Sequence, residues 1–282
     1  MTRCPVQSAF NFVRPEVCVE RKAPILFLHG LTASKESWNN IPQIVANATN
    51  RKAYVIDARN HGDSPWGDFY DDSSLDDLLY FMDTINAPRA IVVGHSMGGL
   101  TAIKAALKWP ARFEKIVIED ASVKKASQQI IEVMKHKIAM SEIAIEEMPV
   151  GLNEANARKF IMEFVMNSLP AEMQKVTKFD DYSFVLRKTE SGRFVFKTNI
   201  EAVQKALENE DEFMSGFSGV YERPTCFIYG NMSPFQVGND EPLLRNFFPN
   251  AKFVGVEYAS HTVHNDNAPD FTEALLNFLQ EP

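Results

Sequence analysis

The segment Gly94-His95-Ser96-Met97-Gly98-Gly99 constrains this chain more than any other. It follows the apolar, β-branched run Ala90-Ile91-Val92-Val93 and precedes an Ala/Leu-rich stretch from Leu100 to Leu107. A buried strand must therefore reverse into a helix within a few residues, with a serine at the bend. Side chains flanking so sharp a turn would crowd strand and helix, and glycine removes them. The helix start behind Ser96 favours developing negative charge. A Gly-x-Ser-x-Gly match also arises by chance, so its weight comes from the strand before it, the helix after it and the order of the other pieces.

Ala9 to Val13 reads as a first strand. Short apolar runs at 25–28, 54–56, 90–93 and 116–118 each end in polar or Gly-containing turns. Helical patterns at 41–48, 74–85 and 100–109 separate them, and Trp109-Pro110 closes the third. Near-continuous apolar strands alternating with helices predict a mostly parallel sheet covered on both faces. After Asp120 the pattern changes. Residues 122–222 read as helices of mixed polarity carrying most of the methionines, with a short hairpin around Ser191-Gly192. Sheet-like runs resume at Thr225–Tyr229 and Lys252–Val256, and a last helix covers 269–279. The expected organisation is a core of residues 1–121 and 223–282 with a helical cap, 122–222, inserted in it. Most of the cap methionines read as ordinary helical core, and some are expected to line an adaptable apolar wall.

Length allows one large core with such an insertion. Twenty-nine Lys and Arg against 37 Asp and Glu give a net charge of −8, which argues against a nucleic-acid surface. Cys4, Cys18 and Cys226 show neither paired nor metal-ligand spacing, and the histidines form no H-x-x-x-H pattern. No metal or cofactor is expected. No run approaches the ~18 apolar residues of a membrane helix, and no continuous apolar run marks a secretory signal.

A serine needs a base to become a nucleophile. Tyr258 to His264 follows the last strand and supplies two histidines. His261, nearer the strand end, is the expected base, and His264 a buttress of the loop. An oxyanion formed at Ser96 needs two backbone N–H donors, expected from Met97 and from Leu31, with Gly30 letting the backbone approach. His29 precedes that turn and reads as structural. The acid is less determined. Ser233, in Gly230-Asn231-Met232-Ser233, stands where an Asp is expected after the strand that follows the cap. Asp120, at the end of the strand before the cap, is preferred, with Glu119 turned to the opposite face by strand alternation. Glu201 is a more remote option, reached if the cap folds down onto the histidine. Asp240 and Asp266 are badly placed. The Asp57–Ser64 stretch reads as a structural loop tied down by Asp57 and Arg59.

Taken together, several segments resemble the alpha/beta hydrolase domain-containing protein 11 group and related small bacterial esterases. They are His29-Gly30-Leu31, Asp57-Ala58-Arg59-Asn60-His61-Gly62-Asp63-Ser64-Pro65, Gly94 to Gly99, Gly192-Arg193-Phe194-Val195 and His261-x-x-His264. The string from Asp57 to Pro65 is the most discriminating, since relatives commonly carry Gly where this chain has Asn60. The chain departs from the group at Ser260, where Gly is usual, and at Gly230–Ser233, where the group has G-G-N-S. The resemblance spans nearly the whole chain. It implies an α/β-hydrolase fold with a helical lid and an intracellular, cofactor-free serine hydrolase. It further implies action on carboxylic esters through an acyl-enzyme, with lipophilic acyl-lipid esters as a substrate class and a mitochondrial location among eukaryotic members. Thioester or carbon–carbon bond cleavage by the same residues is one alternative, and a non-catalytic ligand-binding protein on this fold is another. No protein partner is specified by the sequence.

Overall fold

The computed structural model describes residues 4–67, 73–179 and 182–281. Its strands are β1 (Phe10–Val13), β2 (Ile25–Leu28), β3 (Ala53–Ile56), β4 (Ala90–His95), β5 (Phe113–Glu119), β6 (Leu186–Lys188), β7 (Phe194–Phe196), β8 (Thr225–Gly230) and β9 (Ala251–Val256). Seven of them form one sheet in the order β1-β3-β2-β4-β5-β8-β9, and β6 and β7 form a separate antiparallel hairpin. Within the large sheet only β1 runs antiparallel to its neighbour. The mostly parallel sheet read from the sequence is therefore present, with an antiparallel strand at one edge.

The helices are α1 (Ile41–Thr49), α2 (Ser73–Thr84), α3 (Met97–Lys108), α4 (Gln128–Glu147), α5 (Glu154–Ser168), α6 (Ala171–Val176), α7 (Ile200–Glu208), α8 (Glu210–Phe213), α9 (Glu241–Leu244), α10 (Val263–Asp266) and α11 (Ala268–Gln280). Every residue of β2 and β4 is buried, because helices cover both faces. Strand alternation divides the core in two. Leu26, Val92, Ile116, Ile118 and Phe227 pack against α2 and α3, whereas Ile25, Phe27, Ile91, Val93, Val117 and Ile228 pack against α1 and α11. Parallel pairing of β4 and β5 brings their C-terminal ends to the same edge of the sheet.

Helix α3 starts at Met97 rather than Leu100, so Gly98 and Gly99 are helical despite their poor propensity. The reason is packing. A Cβ on Gly98 would lie 2.4 Å from the Leu28 carbonyl oxygen, and one on Gly94 would lie 2.3 Å from that of Gly98. Only glycine lets strand and helix cross at this distance.

Between β5 and β8 the chain runs through α4 to α8 and the β6–β7 hairpin. Side chains cap the starts of three of these helices: Ser127 accepts from Ile130 N–H, Asn153 from Asn156 N–H and Asn199 from Ala202 N–H. One apolar cluster joins Ala157, Ile161, Val165, Phe184, Leu186 and Phe194. A second joins Ile131, Ile138, Val203 and Leu207, and Leu31 from the core packs against it. No helix of the described residues is long and apolar enough to cross a membrane.

Candidate active site

Ser96 caps the strand-to-helix turn with φ 51° and ψ −114°. A residue with a side chain is rarely held there, at a cost of roughly 1–3 kcal/mol that the surroundings must over-determine. They do so through backbone bonds. Ser96 N–H donates to Glu119 C=O at 2.9 Å, Leu100 N–H to Ser96 C=O at 2.9 Å and Gly98 N–H to His29 C=O at 3.2 Å. The turn thrusts the Ser96 hydroxyl toward the loop between β9 and α10.

His261 lies in that loop. Its Nε2 is 3.0 Å from Ser96 Oγ, and its Nδ1 is 2.7 Å from Asp120 Oδ2. A carboxylate can only accept, so Nδ1 carries the proton and Nε2 is left to accept from the serine hydroxyl. Asp120 directly follows β5, is 1% exposed and adopts φ 47°. Its N–H donates to Ile228 C=O at 2.9 Å, and its Oδ1 accepts from Gly230 N–H at 3.2 Å. Ser233 Oγ, at the place where the sequence pattern calls for an acid, instead donates to Asp120 Oδ2 at 2.5 Å. Glu201 sits exposed on α7 and pairs with Lys205 at 2.7 Å. Both ring nitrogens of His261 are already engaged, so Glu201 stands outside the group.

A second carboxylate–imidazole pair lies one residue back along β5. Glu119, fully buried, accepts from His264 N–H at 2.8 Å and from His264 Nδ1 at 2.7 Å. The His264 ring stacks on Trp38 with centroids 4.4 Å apart. Asp266 accepts from the Ser260 N–H at 2.7 Å and from the Ser260 hydroxyl. His95, beside the serine, donates from Nε2 to the His261 carbonyl at 3.0 Å. Burial pushes the His95 imidazole well below its ordinary pKa, so it stays neutral. This bond from His95 to the His261 carbonyl is a contact that sequence reasoning missed. Only the place of His95 next to Ser96 marks it, and the carbonyl is 166 residues away.

The loop after β2 passes close to the serine. A Cβ on Gly30 would come within 2.5 Å of His95 Nδ1 and 3.2 Å of Ser96 Cβ. Leu31 follows that approach, and Met97 opens α3 on the other side of Ser96. His29 accepts from Ala58 N–H at 3.0 Å and donates to Gly30 C=O at 2.8 Å, and burial lowers its pKa too. Asp57 accepts from Lys35 Nζ at 2.6 Å and from Asp63 N–H at 2.9 Å, and Arg59 pairs with Asp77 at 2.6 Å. The charges of this loop are tied to Lys35 and to Asp77 on α2.

Two cavities meet at Ser96. One, of about 260 Å³, is walled by Met134, Phe179, Phe184, Phe235 and His261. The other, of about 400 Å³, is walled by Leu31, Met97, Leu100, Ile131, Leu207 and Met214. Among the described residues no cluster of His, Cys, Asp or Glu has the makings of a metal site.

Residues 23–268 match the family model described as alpha/beta hydrolase fold. The chain is 31% identical over 261 residues to the sn-1-specific diacylglycerol lipase ABHD11 of Danio rerio, with 91% of this chain and 78% of that protein covered. It is 30% identical over 281 residues to an abhydrolase domain-containing protein of Schizosaccharomyces pombe, with 99% of each covered. Among solved structures, a marine microorganism esterase superposes with a TM-score of 0.76 at 27% identity, covering 97% of this chain and 99% of that one.

Proposed function

The chain belongs to the alpha/beta hydrolase fold family and to its ABHD11 group, and from that premise we propose that Ser96, His261 and Asp120 hydrolyse carboxylic esters through an acyl-enzyme. His261 Nε2 takes the Ser96 proton as Oγ attacks the ester carbonyl. The oxyanion forms against the N–H groups of Leu31 and Met97, each such donor being worth roughly 10²–10³ in rate. Asp120 holds the ring and stabilises the imidazolium. His261 then passes its proton to the departing alkoxide, and the alcohol leaves. Water enters, yields a proton to His261 and attacks the acyl carbonyl; the bond to Ser96 Oγ then breaks, His261 returns the proton to Oγ, and the carboxylic acid leaves.

The observation that carries this reading is the continuous path from Ser96 Oγ to His261 Nε2, 3.0 Å, and from His261 Nδ1 to Asp120, 2.7 Å, joining segments 165 residues apart. We further propose that residues 122–222 act as a cap over the core of 1–121 and 223–282. The apolar side chains in the walls of the two cavities beneath it, Met134, Phe179, Phe184, Leu100, Ile131 and Leu207 among them, suit lipophilic esters, acyl-lipid esters included. The test is a chain-length series of chromogenic esters together with fluorophosphonate labelling. Ser96→Ala is expected to lower kcat by up to ~10⁶ and to abolish labelling. Labelling that persists in Ser96→Ala overturns the assignment.

A further inference from the structure

The smaller cavity holds a charge that neither the fold nor the reaction explains. Lys137, on the cap helix α4, lines it beside Ile130, Met134 and Ile138. The Lys137 Nζ lies 5.4 Å from the centroid of the Phe179 ring, and Phe179 lines the same cavity. The ammonium is therefore at the cavity wall, against an aromatic face. Among the described residues it has no carboxylate partner, and no Asp or Glu of theirs lines this cavity. The other lysine there, Lys178, is 3.8 Å from Asp266. Burial lowers the Lys137 pKa. Removing an ammonium from water without a counter-charge is unfavourable, and a methionine of similar length would fill an apolar wall without that cost.

The two cavities also differ in their relation to the base. His261, Ser260 and Thr262 line the smaller one, and His261 does not line the larger. The leaving oxygen must take its proton from His261 Nε2, so the alcohol portion departs on the side of the smaller cavity. The acyl portion is left to the larger cavity, where Leu100, Ile131, Leu207 and Met214 share the wall with Lys124 and Lys125, each of which is paired with a carboxylate, Asp240 and Asp211 respectively.

We infer that the smaller cavity receives the alcohol portion of an ester bearing an anionic group, a carboxylate or phosphate, with Lys137 as its counter-charge. This rests on the serine esterase reading above. It narrows the substrate to esters that are anionic on the alcohol side.

The experiment uses three esters on the full chain. Two share a butyryl group, one on 3-hydroxybenzoate and the other on the neutral 3-hydroxybenzamide. The third, 4-nitrophenyl glutarate monoester, carries its carboxylate on the acyl side. Lys137→Met is expected to lower kcat/KM on the benzoate ester about 10-fold or more, mainly through KM, and to leave the benzamide ester within about twofold. Lys137→Arg is expected to keep the preference, and Lys137→Glu to reverse it. The benzamide ester reports folding, so a misfolded variant is distinguishable from a lost contact. Equal losses on both butyryl esters, or an unchanged benzoate ester, overturn the inference. Sensitivity of the glutarate ester to Lys137→Met equal to that of the benzoate ester overturns the side assignment. If Ser96→Ala stops the wild-type cleavage of both butyryl esters, the esterase reading stands whatever Lys137 does. If the wild type cleaves neither, both readings fall.

Discussion

Asp120 has a backbone conformation that few aspartates adopt, and three donors converge on its carboxylate: the ring of His261, the hydroxyl of Ser233 and the N–H of Gly230. Asp120→Asn replaces an acceptor with an amide that can present a donor to Nδ1, and so favours the wrong tautomer. Steady-state kinetics are expected to show kcat lower by roughly 10³–10⁴, whereas Glu201→Gln, on an exposed surface, is expected to leave kcat unchanged. Full activity in Asp120→Asn would remove it from the reaction. Ser96 and His261 are legible in the sequence because each has a local signature, a glycine-flanked bend in one case and a place after the last strand in the other. The carboxylate proposed as the acid has no such mark. The preference for Asp120 over Glu201 follows from strand position, but the hydrogen bond from Ser233 spans 113 residues and needs coordinates to be seen.

Among the elements, the loop after β3 ties the sheet to the segment between β5 and β8. Asn60, at φ 64°, accepts from Gly67 N–H at 3.1 Å and from Asn199 Nδ2 at 3.1 Å, and its carbonyl accepts from Asn199 N–H at 2.8 Å. Asparagine tolerates this left-handed backbone, and its amide makes the bonds that a glycine there would lack. Lys35, buried, bridges Asp57 and Asp63, while Lys197 reaches Asp63 from the end of the hairpin. Lys35→Met leaves Asp57 buried without its counter-ion, and urea denaturation is expected to show a loss of about 3 kcal/mol. Lys197→Ala breaks a half-exposed pair and is expected to cost less than ~1 kcal/mol in the same measurement. A smaller loss in Lys35→Met than in Lys197→Ala would contradict this ranking. Strand positions were legible from runs of apolar residues. The start of α3 was not, because intrinsic propensity places Gly98 and Gly99 outside a helix and only the contact with Leu28 puts them in it.

For the whole molecule, burial sets how the fold responds to acid. His29, His61 and His95 are buried and neutral, and desolvation pushes the His61 imidazole down to about 3. An unfolded chain protonates these rings below about pH 6.5, and the folded one does not. The unfolded state therefore binds more protons in that window, and stability falls as pH drops from about 6.5 toward 3. Thermal melts between pH 7 and 4 are expected to show this decline. His61→Asn, which retains a donor toward the Arg59 carbonyl, is expected to shallow the slope, and an unchanged slope would mean that His61 does not contribute to it. The fold class was legible throughout because it depends on pattern alone. The ring environments were not, because burial of a histidine is decided by distant chain segments. One arrangement at the sheet edge has a consequence for heat. Ser96 and Asp120 sit at the ends of adjacent strands, so the ladder of the sheet fixes the span between them. His261 arrives from the loop after β9, on a short strap fastened by Glu119, Asp266 and His95. Warming that loosens the strap would separate His261 from Ser96 while the strands still stand, so under the proposed mechanism the protein is expected to fall silent at a temperature below the one at which it melts.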